Sequence, residues 1–164
     1  MKGFGSTSNQ KKINNLINLT NEQIVSLAIK YHSQGNISLA TKYYQHCIDN
    51  NINEERVFSN YGIILRNLNK LQEAETILKK YISLNPSSVV THNNLSGILK
   101  ELGRYKEAET ILKKSLEIDP NNANSLYNFG CLKIDLRNYK EAELIFRKSI
   151  SLNQNNSEAY LNLG

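Results

Sequence analysis

LQEAETILKK at residues 71–80, YKEAETILKK at residues 105–114 and YKEAELIFRK at residues 139–148 are one pattern written three times, each copy 34 residues after the last. The alanine of each copy, Ala74, Ala108 and Ala142, has a forerunner at Ala40, and a bulky residue follows each of the four alanines by one helical turn: Tyr44, Leu78, Leu112 and Phe146. Earlier in each block a small residue recurs as Ala28, Gly62, Ser96 and Gly130, preceded by a large apolar one at Leu27, Tyr61, Leu95 and Phe129. The chain thus divides into blocks at residues 20–54, 55–88, 89–122 and 123–156. Self-similarity at a period of this size marks a repeat architecture in which each copy is one supersecondary unit.

The hydrophobic spacing says what that unit is. Phe58, Tyr61, Gly62 and Leu65 fall at i, i+3, i+4 and i+7, and Leu71, Ala74, Ile77, Leu78, Tyr81 and Ile82 share one face of the next segment. Two amphipathic helices per block follow, joined by Asn- or Gly-containing breaks such as Asn67-Leu68-Asn69-Lys70 and Leu102-Gly103-Arg104. A small residue at Gly62 or Ala74 allows two backbones to approach closely. A single helix pair cannot bury its apolar faces, so neighbouring pairs must stack.

Period, alanine, small-residue slot and the prolines Pro86 and Pro120 that close two blocks together resemble the tetratricopeptide repeat (TPR). The resemblance implies an all-α fold, a right-handed α-solenoid of antiparallel helix pairs. Thr20-Asn21-Glu22-Gln23 reads as a capping box opening the first helix, and Asn155-Asn156-Ser157-Glu158 as a similar start. Asn85-Pro86 and Asp119-Pro120 disfavour αR before the proline and should end their helices. Residues 1–19 read as a basic, polar N-terminal tail, within which Ile13, Leu16, Ile17 and Leu19 either form a short turn or stay disordered. Residues 157–164 repeat the opening of a fifth block. That points to the N-terminal part of a longer chain, and to end-to-end self-association through an uncapped last helix.

Three places depart from the repeat pattern. Tyr81 takes a slot that is usually small, Lys133 one that is usually aromatic, and Gln154 stands where Pro86 and Pro120 predict proline. Lys133 is expected to lay its stem on apolar neighbours and keep its ammonium in water.

The net charge of +5 raises the question of nucleic acid. The basic pairs Lys79-Lys80, Lys113-Lys114 and Arg147-Lys148 recur along the second helices, but Glu75, Glu109 and Glu143 lie four residues before the first member of each. That is the favourable orientation for a helix ion pair, and no aromatic residue interleaves with the stripe, so a solvated outer face is expected and nucleic acid is not. No run is apolar and long enough for a signal peptide or a membrane span, so the chain reads as cytoplasmic with no membrane partner. Cys47 and Cys131 lie in different blocks and predict no disulfide. His32, His46 and His92 have no metal-ligand spacing, and His92 occupies the aromatic slot of Phe58. No phosphate loop and no catalytic constellation is found, so neither a cofactor nor enzymatic activity is expected from these residues.

What remains is a surface. Asn60, Asn94, Asn128 and Asn162 stand two residues before the small-residue slot, with Ser26 at the same place in the first block. The helical wheel turns Asn60 away from the buried face and sets it beside Arg56, Ile63 and Asn67. The TPR resemblance implies that these first helices line a concave groove. The asparagines are similar to the ladder in the TPR arm of O-linked N-acetylglucosamine transferases, where a carboxamide, donor and acceptor at once, can pair with a peptide backbone. The alternative is a structural or solvated asparagine, frequent at this place in TPRs. Arg56, Arg66 and Lys100 with Glu22, Glu101, Asp135 and Glu158 make the groove mixed in charge, with Ile29, Ile63 and Cys131 between them. Some chaperone-binding TPRs use a lysine-containing carboxylate clamp, but its lysine slots hold Val25, Ser59, Asn93 and Tyr127, so no such clamp is expected.

These readings converge on a protein–protein interaction scaffold that binds a peptide or protein segment at Arg56, Asn60, Ile63, Asn67, Asn94, Lys100, Asn128 and Asn162. The alternative is a non-catalytic, substrate-presenting arm of a larger glycosyl-, sulfo- or methyltransferase. RNA binding along the basic stripe is a weaker alternative.

Overall fold

The computed structural model describes residues 19–153 and 157–162, and among these every regular element is an α-helix. In chain order they are α1 (Asn21–Ser33), α2 (Ile37–Asp49), α3 (Glu55–Asn67), α4 (Leu71–Leu84), α5 (Val89–Glu101), α6 (Tyr105–Ile118), α7 (Ala123–Asp135), α8 (Tyr139–Leu152) and α9 (Ser157–Leu161). The chain divides into two compact units, Met1–Val57 and Phe58–Gly164.

In the first unit α1 packs on α2. Its start is the expected capping box: the Thr20 hydroxyl accepts from the Gln23 amide at 3.2 Å, and the Thr20 amide donates to Gln23 Oε1 at 2.8 Å. Ile24, Val25 and Ala28 form the buried stripe of α1, and Ala40, Tyr44 and Cys47 are wholly buried on α2. Tyr31 stacks on Tyr43, ring centroids 5.4 Å apart, and His32 meets Tyr44 edge-on at 6.0 Å.

The second unit shows why small residues recur. A Cβ added at Gly62 would lie 2.9 Å from Leu78 Cδ2, and one added at Gly130 would lie 2.6 Å from Phe146 Cε1. The small slot on a first helix is therefore filled by the bulky residue one turn after the alanine on the following helix. Leu78, Leu112 and Phe146 are essentially without solvent exposure, as are Ala74, Ala108 and Ala142. α5 packs on α6 and α7 on α8, with α4 against α5, α6 against α7 and α5 against α7, so within the second unit one pair stacks on the next. Phe58 and Tyr81 join α3 to α4 with ring centroids 4.9 Å apart, which places the large residue at 81 against an aromatic neighbour.

The breaks within pairs share one turn. Lys70 N–H donates to the Leu65 carbonyl, Arg104 N–H to Leu99 and Asn138 N–H to Lys133, each at 2.8 Å. The residue before each donor is left-handed: Asn69 at φ 58, Gly103 at φ 72 and Arg137 at φ 59. The breaks between pairs fall at proline, as expected: α4 ends at Leu84, before Asn85-Pro86, and α6 at Ile118, before Asp119-Pro120.

One expectation is corrected. The Lys133 ammonium is not in water: the residue is 7% exposed, and its Nζ lies 3.2 Å from Glu109, 3.1 Å from Glu141 and 4.9 Å from the centre of the Phe129 ring. Two carboxylates and an aromatic face replace the lost water, so a cation can fill an aromatic slot. Most of the predicted tail, the Asn155-Asn156 part of the second capping start and Gln154 lie outside the described residues.

Candidate functional site

Asn60, Asn94 and Asn128 occupy matching positions on α3, α5 and α7, each partly buried. A cavity of about 470 Å³ opens among these helices, lined by Ile63 of α3, Asn94, Gly97 and Lys100 of α5, and Asn128 and Cys131 of α7. Leu78, Ala108 and Leu112 from the second helices close it. A second hollow of about 260 Å³, lined by Val90, Asn93, Asn94, Asn124, Tyr127 and Asn128, shares Asn93, Asn94, Tyr127 and Asn128 with the first.

The asparagines of α5 fall into two kinds. Asn93 accepts a hydrogen bond from the Ser115 hydroxyl at 3.1 Å, and Ser115 lies 2.8 Å from Ser125, so Asn93 belongs to a polar knot between helices. The Asn94 and Asn128 carboxamides make no hydrogen bond to any other described residue, nor does that of Asn60. A half-buried amide without a partner is an unused donor and acceptor.

The cations near the cavity are already engaged. Arg66 Nε donates to Glu101 at 2.6 Å, and Lys100 Nζ lies 3.1 Å from Asp135. Each pair ties the end of one first helix to the end of the next.

The predicted residues are therefore divided. Ile63, Asn94, Lys100 and Asn128 line one cavity. Asn60 and the exposed Asn67 sit on α3 without lining it, and Asn162 borders a separate hollow with Tyr139, Glu143 and Phe146. Arg56 belongs to the first unit, where it pairs with Glu54. Sequence reasoning missed Gly97 as a lining residue. The signal was present, because Gly97 holds the register of Ile29, Ile63 and Cys131 at a shift of 34 residues.

The basic stripe on the second helices carries the expected ion pairs. Lys79 reaches Glu75 at 2.6 Å, Lys113 reaches Glu109 at 2.9 Å and Arg147 reaches Glu143 at 2.8 Å. Two of these carboxylates also serve the next repeat, Glu75 receiving Arg104 at 2.6 Å and Glu109 receiving Lys133. Partial burial pulls the Glu75 carboxyl upward, yet hydrogen bonds from Lys79 and Arg104 outweigh it and hold the group below its ordinary value. Lys113 holds Glu109 down in the same way, against its partial burial and with help from Lys133. Burial disfavours the Lys133 charge, but Glu141 and Glu109 outweigh it and raise its affinity for the proton.

Of the remaining chemistry-bearing side chains, Cys47 is fully enclosed, and burial, reinforced by the charge of Glu54, pushes its thiol up to about 11. Buried His92 donates from Nδ1 to the Ser88 carbonyl at 2.7 Å. The described residues contain no group of three His, Cys, Asp or Glu side chains placed to hold a metal ion, and no described helix is long and apolar enough to cross a membrane.

Two sequence models of the tetratricopeptide repeat match the chain, one over residues 55–88 and one over residues 87–155. Residues 55–155 are tetratricopeptide repeats. Solved structures agree on the fold. A tetratricopeptide repeat protein from Parabacteroides merdae is 24% identical, with a TM-score of 0.71 over 87% of this chain and 57% of its own. The chain thus spans a little over half of that protein. The pilF protein of Pseudomonas aeruginosa is 19% identical, with a TM-score of 0.77 over 87% of this chain and 65% of its own. MamA from Desulfovibrio magneticus is 19% identical, with a TM-score of 0.72 over 87% of this chain and 81% of its own. No curated protein sequence gives a significant match. At these identities the likeness concerns the TPR fold.

Proposed function

We propose that this chain is an interaction scaffold that holds an extended segment of a partner protein against α3, α5 and α7, with Asn94 and Asn128 hydrogen-bonding its main chain. TPR proteins generally mediate protein–protein contact, which supplies the class. The observation that carries the reading is the pair of half-buried carboxamides, without hydrogen-bond partners among the described residues, that line the same two hollows. A peptide presents N–H and C=O groups at every residue, and a carboxamide can take one of each without regard to side chain. The similarity to the asparagine ladder of the glycosyltransferase arm supports the same contact, while Asn93 shows what a structural asparagine looks like here.

The test compares wild type with Asn94→Ala/Asn128→Ala by calorimetric titration of capped peptides selected from a random library, alongside thermal melts of both proteins. Each lost hydrogen bond should cost about 0.5–1.5 kcal/mol, so the double variant should bind about tenfold more weakly with an almost unchanged melt. Unchanged affinity, or a melt lowered by many degrees, would assign both residues to the fold.

A further inference from the structure

We infer that the segment taken by this groove is uncharged and places one bulky apolar side chain, of the size of leucine or phenylalanine, into the hollow bounded by Ile63, Gly97 and Cys131; the inference rests on the peptide-binding reading above.

The first ground is charge. The two cations that line the cavity, Arg66 and Lys100, are bound by Glu101 and Asp135. An incoming carboxylate would have to break a made ion pair, and an incoming ammonium would have to compete with Arg66 or Lys100 for its partner. An uncharged segment leaves both pairs in place. The second hollow has the same character, since its lining of valine, asparagine and tyrosine carries no charged group.

The second ground is shape. Ile63 is 37% exposed although it is a large apolar residue, and Cys131 is only partly buried. Between them in the repeat register stands Gly97, where an added Cβ would meet no atom within 4 Å, in contrast to Gly62 and Gly130, whose space is taken by Leu78 and Phe146. Gly97 is therefore not required for packing among the described residues. Its missing side chain leaves room in a cavity of about 470 Å³ that holds the two asparagines, so an apolar side chain beside a hydrogen-bonded backbone has a place to go.

Selection of random capped octapeptides on the immobilised chain reads both grounds at once. The inference expects sequences poor in Asp, Glu, Lys and Arg, with one recurrent Leu, Ile, Met or Phe. Titration of a selected peptide should show affinity that changes less than about twofold between about 0.05 and 0.5 M salt, since no free charge is recognised. Replacing the recurrent apolar residue of the peptide by Gly should weaken binding by at least about tenfold, the usual worth of a filled apolar pocket. Gly97→Leu fills the same hollow from the protein side. It should weaken the parent peptide and leave the Gly-substituted peptide nearly unaffected, with Gly97→Ala as the folded control. Selected sequences rich in one sign of charge, or affinity falling steeply with salt, would overturn the inference while leaving peptide binding intact. Equal loss for both peptides on Gly97→Leu would overturn the placement of the side chain. Recovery of no peptide would overturn the inference and the reading beneath it together.

Discussion

Three glycines that look alike in the sequence do two different things. Gly62 and Gly130 admit Leu78 and Phe146, whereas nothing occupies the space a side chain at Gly97 would take. Exchanging a helical Gly for Ala is worth about 0.8–1 kcal/mol in helix propensity, and overpacking a close contact costs about 1–3 kcal/mol. At Gly97 only the first effect acts, so Gly97→Ala should raise the urea midpoint. At Gly62 the nearest atom is Leu78 Cδ2 at 2.9 Å, the far end of a flexible side chain and less of an overlap than at Gly130, so the two effects should nearly cancel. At Gly130 the obstacle is the rigid, buried Phe146 ring at 2.6 Å, and Gly130→Ala should lower the midpoint. Denaturation of the three variants checks the order, and a Gly130→Ala midpoint above that of Gly97→Ala would refute the packing account.

At the scale of elements, charges cross from one repeat to the next. Lys133 stands between Glu109 of α6 and Glu141 of α8, so Lys133→Ala should cost about 1–3 kcal/mol, whereas Lys113→Ala, at an exposed pair, should stay within about 0.5 kcal/mol. Acid should loosen the same joints. The Glu75 and Glu109 carboxyls are held below their ordinary 4.5 when folded, so the stability they add is present above 4.5 and is lost as pH falls through their lowered folded values. Thermal midpoints should therefore drop on acidification below 4.5, and Glu109→Gln should flatten that drop. An identical pH profile for the variant would exclude Glu109 from the effect. These cross-repeat bonds were not legible in the sequence. Helical spacing reveals the partner of Glu109 four residues on, at Lys113, but Lys133 is brought to it only by the stacking of α7 on α6. The helix pairs themselves were legible, because 3.6-residue periodicity, the left-handed turns and the proline stops all act locally. The asparagine register could be read for the same reason. Which asparagines were already engaged could not, since Asn93 meets Ser115 from another helix.

For the whole molecule, the net charge of +5 is the excess of 20 Lys and Arg over 15 Asp and Glu, and many of those cations are paired with carboxylates. Lys79, Lys113 and Arg147 each hold a glutamate, and Arg104 holds Glu75 and Glu107. A phosphate backbone would have to displace those carboxylates, so titration with single-stranded RNA or duplex DNA at physiological salt should show nothing tighter than about 10⁻⁶ M. Submicromolar binding with a steep salt slope would contradict this. On a different surface, Asn94 and Asn128 are proposed to read main chain. The most direct measurement is a thermodynamic cycle between a peptide selected on the chain, the same peptide with single amide N–H groups replaced by ester oxygens, and the Asn94→Ala and Asn128→Ala variants. One ester position should lose about 0.5–1.5 kcal/mol on wild type and nothing further on the variant lacking its asparagine, with a second position answering to the other asparagine. Ester substitutions that cost the same on wild type and both variants would show that the carboxamides do not hold the peptide backbone, and would contradict the account.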